Sequence, residues 1–151
     1  MSQSNDGKYL EAEVEKWVSD LSLATFLIKR LPDTRSARNI ITAQSADFLC
    51  TRAYFGAFHI ECKSSGSKKE ELSMFRQYPV MRMWENAGTP GFVLIHYYIL
   101  GIFKLVQIKE LDAIGLSGKK WKLGSISSFK EADDGFNRIM QELCTRTVGE
   151  R

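Results

Sequence analysis

Residues 57–63, Ala57-Phe58-His59-Ile60-Glu61-Cys62-Lys63, carry the pattern that decides how the chain is read. The segment is largely apolar and reads as a strand, and successive side chains in a strand leave on opposite faces. Phe58, Ile60 and Cys62 then share one face, and His59, Glu61 and Lys63 share the other. A carboxylate and an ammonium stand side by side within an otherwise apolar stretch. Just upstream, residues 46–50, Ala46-Asp47-Phe48-Leu49-Cys50, form a second strand-like segment. The stretch between them contains Gly56 and is long enough for a hairpin, so Asp47 on the neighbouring strand reaches the point where Glu61 and Lys63 project.

Two hard oxygen donors beside a lysine suit a Mg²⁺ that keeps some waters and meets a phosphate. Asp47 and Glu61 are the candidate ligands, and the main-chain carbonyl of Cys62 adds a third from the same strand, while the Cys62 side chain faces the core. Lys63 is placed to orient or help deprotonate an attacking water. That arrangement is the chemistry of phosphodiester hydrolysis. A solvated Glu-x-Lys pair on a half-exposed sheet is the plain alternative, and such pairs contribute little.

Outward from this centre, the apolar residues Leu10, Val14, Trp17, Val18 and Leu21 recur at helical spacing over 8–21, with Asn5 or Asp6 as cap. Thr25–Ile28 reads as a short strand, and a basic loop follows from Lys29 to Asn39. Ser64–Lys69 is a polar turn. Glu70–Ala87 has helical composition broken at Pro79, which predicts a broken helix or two short ones. Gly91–Tyr98 and Ile102–Ile108 read as a second, apolar hairpin. Over 132–146, Phe136, Ile139, Met140 and Leu143 share a helical face.

At 151 residues, 44% hydrophobic and 26% charged, the chain is expected to form one domain over 1–151. Its net charge of +3 permits a nucleic-acid partner without requiring one. Three cysteines and two histidines, without metal-ligand spacing, argue against a disulfide framework or a structural zinc and fit a reducing cytoplasm. The N-terminus, Met1–Lys8, lacks the apolar run of a signal peptide, and no apolar run approaches the ~20 residues of a membrane helix. A soluble, cytoplasmic protein without a membrane partner is the expectation.

The order of these motifs resembles the PD-(D/E)XK nuclease superfamily, and within it the Holliday-junction resolvases of the RecU and archaeal Hjc types. The resemblance runs from Gly7 to Leu111. It rests on Gly7-Lys-Tyr-Leu-Glu11 opening a helix, on Asp47 in one strand, on Ile60-Glu61-Cys62-Lys63-Ser64 in the next, on Phe75-Arg76-Gln77 at a helix start, and on the apolar strand from Gly91. Ala46 stands where the superfamily has its proline, and the segment between Lys29 and Gln44 is shorter than the stalk region of RecU-like enzymes. The resemblance implies a restriction-endonuclease-like α/β core, a central mixed sheet flanked by helices. It implies catalytic roles for Glu11, Asp47, Glu61, Lys63 and Gln77, a metal site at Asp47, Glu61 and Cys62 for Mg²⁺ with Mn²⁺ as substitute, and a homodimer acting on branched DNA in recombination and repair. Glu11 lies at the border of the apolar stripe of the first helix, whereas Glu15 lies further towards solvent. A first-turn acid favoured by the helix dipole is the plain account of Glu11, and an exposed amide that of Gln77.

Lys29, Arg30, Arg35 and Arg38, with Lys68 and Lys69, are candidate walls for DNA phosphates. Lys119-Lys120-Trp121-Lys122 mixes cations with an aromatic ring, a pattern that supports a nucleic-acid backbone or stacks on an exposed base, with a tryptophan packed on its own domain as the plain alternative. His59 borders the acidic face, and His96 sits inside an apolar strand. The expected activity is Mg²⁺-dependent, structure-selective DNA cleavage at a four-way junction. A site-specific homing or restriction-like endonuclease, and a DNA-binding accessory protein without cleavage activity, are the alternatives.

Overall fold

The computed structural model describes residues 8–19, 26–30, 46–52 and 56–149. Six strands among these residues form the main sheet: β1 (Phe26–Arg30), β2 (Phe48–Arg52), β3 (Gly56–Ser65), β5 (Gly91–Tyr97), β6 (Ile102–Gln107) and β8 (Ser128–Phe129), in that spatial order. All neighbours are antiparallel except β3 and β5, which run parallel at the centre. A two-stranded ribbon, β4 (Glu71–Ser73) with β7 (Lys120–Lys122), stands beside it. Among the described residues four helices complete the mixed α/β architecture: α1 (Lys8–Ser19), α2 (Tyr78–Asn86), α3 (Ile108–Ile114) and α4 (Ala132–Gly149). Among the described residues no helix is long and apolar enough to cross a membrane.

Alternation divides the core into two layers. Phe58, Ile60 and Cys62 of β3, with Phe92 and Leu94 of β5, pack under α1 and α4, where Leu10, Val14, Phe136, Ile139 and Leu143 are buried. Each such aliphatic side chain contributes about 2 kcal/mol on burial. Trp17 of α1 stacks on Phe136 of α4 at a centroid distance of 4.5 Å, which fixes one helix against the other. On the opposite face Val93, Ile95, Tyr97 and Val106 meet Met81 of α2 and Ile108 and Leu111 of α3, with Trp121 and Leu123 from the ribbon side. Every residue of β5 is buried, as expected of a strand covered on both faces.

The helix α1, both hairpins and α4 form where periodicity places them. Lys29 and Arg30 differ from expectation, because they belong to β1 and pair with Leu49 and Phe48 rather than opening a loop. Strand β2 begins at Phe48, two residues later than Ala46, so Asp47 occupies a bend at its entrance. No broken helix spans Glu70–Ala87: Leu72 is drawn into the core, Glu71–Ser73 pairs with β7, and the only helix there, α2, carries Pro79 in its first turn. Ile108 starts α3 instead of ending a strand, and the N–H of Gln107 donates to Glu110 Oε1 at 3.1 Å to secure that start. Asn5, Asp6, Leu21 and the segment 31–45, with Arg35 and Arg38, lie outside the described residues.

Candidate active site

Register alone sets two of the acidic residues opposite each other. Pairing of β2 with β3 runs from Arg52↔Gly56 to Phe48↔Ile60, and one further step along both chains places Asp47 beside Glu61. Regular pairing stops there, and side chains take over the hydrogen bonding. The N–H of Asp47 donates to Glu61 Oε2 at 2.9 Å, and the N–H of Cys62 donates to Asp47 Oδ2 at 2.9 Å. A strand residue presents its N–H and C=O on the same edge, so the Cys62 carbonyl also lies on the Asp47 side. The Cys62 thiol points the other way, into the α1–α4 core.

Lys63 completes the group, with Nζ 3.1 Å from Glu61 Oε1. Its ammonium also lies over the ring of Phe75, 4.9 Å from the centroid, so one lysine spans a carboxylate and an aromatic face. Glu61 is 2% exposed. Burial, then the charge of Asp47, pushes its carboxyl up from 4.5 to about 7, although Lys63 and the bond from Asp47 act in the opposite direction. The plain alternative of a solvated pair therefore does not describe Glu61. A cation beside the two carboxylates would offset the cost of burial and cancel their repulsion, and the donor set, two carboxylates and a main-chain carbonyl, suits a hard divalent ion. Among the described residues, no three or more histidine, cysteine or acidic side chains gather into a group that could hold a metal ion, so the side-chain donors here are the two carboxylates alone.

Glu11 sits half-buried on α1, the helix that covers the Phe58, Ile60 and Cys62 face of β3. With Asp47 and Glu61 it raises the Cys62 thiol further, beyond the effect of burial, which places its charge within range of the same strand. Gln77 is half-buried immediately before α2, and its carbonyl accepts the N–H of Met81 at 2.8 Å. The chain thereby brings Gln77 within two residues of Phe75. Lys68 and Lys69 are exposed on the turn after β3, and Lys29 and Arg30 lie on β1 towards the end of the sheet where Asp47 enters.

His59 shares the face of Glu61 and Lys63 as expected, but it is buried against Trp84, edge-on at 5.2 Å, and burial lowers its basicity. His96 is stacked on Phe103 at 4.5 Å and packed near Tyr9, with neither ring nitrogen hydrogen-bonded among the described residues. Trp121 packs within its own domain, 4.7 Å from Tyr78, and offers no stacking surface. Sequence reading did not anticipate Phe75 as the platform for Lys63. No spacing signals it, because the turn after β4 folds Phe75 back over β3.

No protein-family model matches the chain, and no curated protein matches it. Among solved structures it is similar to that of Archaeoglobus fulgidus Hjc, described as a Holliday junction resolvase from an archaeal hyperthermophile. The TM-score is 0.47 and the identity 13%, over 82% of this chain and 86% of that one.

Proposed function

We propose that the protein is a Mg²⁺-dependent endonuclease that hydrolyses phosphodiester bonds in DNA, most specifically a Holliday-junction resolvase. One observation carries the reading: a buried Glu61 of raised proton affinity is clasped to Asp47, with Lys63 at 3.1 Å. Buried, mutually repelling carboxylates are destabilising by themselves, and they cluster where function requires them.

Asp47, Glu61 and the Cys62 carbonyl are the residues that would hold the ion. Bound there, Mg²⁺ supplies Lewis-acid polarisation of the phosphate and lowers the pKa of a coordinated water. Lys63, steadied by Glu61 and Phe75, sets a positive charge beside the reacting phosphate and orients the attacking water. Glu11 adds acidic charge from α1, and Gln77 positions water or a phosphate oxygen from the start of α2. The basic residues Lys29, Arg30, Arg35, Arg38, Lys68 and Lys69 bind the DNA backbone without reading sequence.

Symmetric cutting of a four-way junction needs two active sites related by a two-fold axis, so a homodimer is part of the proposal. The β5–β6 hairpin, with Ile99 and Leu100 exposed at its turn, and α4 are the elements proposed to make that contact. The reaction takes place where the DNA is, in the cytoplasm.

Incubating the protein and Mg²⁺ with labelled four-way junction, flap, linear duplex and single strand tests the reading. Paired cuts in the junction alone are expected. Cutting of linear duplex at one site identifies a restriction-like enzyme instead, and binding without cutting identifies an accessory protein.

A further inference from the structure

A cleft of about 250 Å³ opens directly beside Lys63, between the end of β3 and the β4–β7 ribbon. Lys63, Ser65 and Ser67 line one wall, and Glu71, Ser73 and Lys120 the other. The ribbon's position is firmly set. Leu72 and Trp121 are buried in the core, and Lys104, itself 1% exposed, reaches Glu70 Oε2 at 2.7 Å and the Leu123 carbonyl at 2.5 Å. With Leu72 and Trp121 turned inward, strand alternation turns Lys120 and Lys122 outward, and both are exposed.

The polar atoms of the cleft suit an anion. Ser65 Oγ accepts the N–H of Ser67 at 3.2 Å, and Ser67 Oγ accepts the N–H of Lys69 at 3.1 Å. Each hydroxyl then still has its one O–H to donate. Lys120 Nζ lies 3.4 Å from Glu71 Oε2, a half-exposed pair that holds the ammonium loosely at the mouth.

We propose that this cleft takes a DNA backbone phosphate adjacent to the one being cut, and that Lys120 exchanges Glu71 for that phosphate when DNA binds. This rests on the nuclease reading and narrows the backbone support read from Lys119–Lys122 to one residue, one cleft and one exchange of partners. Glu71 acts as a stand-in anion that keeps Lys120 in place and weakens its pull on DNA.

The test is the affinity for a labelled four-way junction in EDTA, measured across salt concentrations. Lys120→Ala is expected to weaken binding roughly eightfold near 0.1 M salt and to make the log–log salt slope shallower by about one, as loss of one phosphate contact does. Glu71→Gln is expected to tighten binding, a gain that misfolding cannot produce. Affinity indistinguishable from wild type in either variant overturns the proposal. If the wild type cuts DNA with Mg²⁺ while both variants bind as it does, the cleft is excluded and the nuclease reading stands. If the wild type neither binds nor cuts, the nuclease reading falls and the cleft falls with it.

Discussion

Asp47 and Glu61 hold each other through the backbone. The N–H of Asp47 donates to Glu61 Oε2, and the Asp47 carboxylate accepts the N–H of Cys62, the residue that follows Glu61, both at 2.9 Å. Hydrogen bonds to charged groups of this kind contribute roughly 1.5–3 kcal/mol each. The clasp replaces the next rung of the β2–β3 ladder, so the acids are ordered at the point where ladder pairing ends.

Replacing one carboxylate by its amide isolates charge from shape. Asp47→Asn keeps an oxygen for the Cys62 N–H, and Glu61→Gln keeps one for the Asp47 N–H, so both variants are expected to fold. In the proposed mechanism each removes a metal-binding charge worth several kcal/mol in the transition state, so Mg²⁺-dependent cleavage is expected to fall by a factor on the order of 10³. DNA binding in EDTA should persist. Wild-type cleavage by either variant rules out the metal site.

The proton affinity of Glu61 gives the fold a pH signature. Its carboxyl titrates near 7 in the folded protein against an ordinary value of 4.5. Below about pH 4.5 the group is protonated in both states and its charge is no burden. Between 4.5 and 7 the unfolded chain releases the proton first, and above 7 the folded state bears the full cost, about 3 kcal/mol. Burial of His59 and His96 lowers their pKa values and acts in the opposite sense, since neutral histidines lose stability as pH falls. Subtracting the urea stability of wild type from that of Glu61→Gln cancels the histidines. The difference should grow in favour of the variant from pH 5 to pH 8 without metal, and shrink when Mg²⁺ is added to both. Parallel pH curves would show that Glu61 carries no such strain.

Much of the site was legible because alternation is a strong rule: once residues 57–63 are a strand, Glu61 and Lys63 must share a face, and hairpin pairing brings Asp47 to them. The burial of Glu61 was not legible, since alternation fixes the face a side chain takes but not what packs over that face. The ribbon was missed for a different reason. Glu71–Ser73 and Lys120–Lys122 are three residues each, too short to establish a period, and Lys-Trp-Lys reads as a surface loop until a partner strand supplies its pairing. Helix α3 follows β6 without a turn residue, so only the Gln107–Glu110 capping bond marks the change from period 2 to period 3.6.

Arg146 of α4 ties three elements together. It meets Glu85 of α2 at 2.8 Å, the Gln107 side chain at 2.6 Å and Glu142 of its own helix at 3.3 Å. Glu85 in turn accepts the N–H of Gly91, at the start of β5, at 2.7 Å. Arg146→Ala leaves the nearly buried Glu85 without its cation and is expected to cost roughly 2–3 kcal/mol in urea unfolding. Arg146→Lys should recover only part, because a single ammonium cannot reproduce the planar fork. A change below about 0.5 kcal/mol would mark the cluster as a dispensable surface contact.

Lys63 offers the most discriminating variant, because two of its roles move different observables. In the proposed mechanism it is a cation beside the reacting phosphate that lowers the barrier, so Lys63→Ala should reduce the single-turnover rate at saturating protein by roughly 10²-fold while binding in EDTA changes little. As the partner of Glu61 at 3.1 Å it also holds that carboxyl down against burial and Asp47. Its removal should push the Glu61 pKa higher still, and the pH at which Mg²⁺ begins to stabilise the protein should rise with it. A purely structural lysine would lower stability without moving that pH, and an exposed bystander would move neither. Phe75→Leu provides the control: it removes the ring beneath the ammonium, 4.9 Å from Nζ, yet leaves the ion pair, so the Mg²⁺ onset should stay in place while the rate falls by a smaller factor. An unshifted Mg²⁺ onset together with an undiminished rate in Lys63→Ala would remove Lys63 from the mechanism.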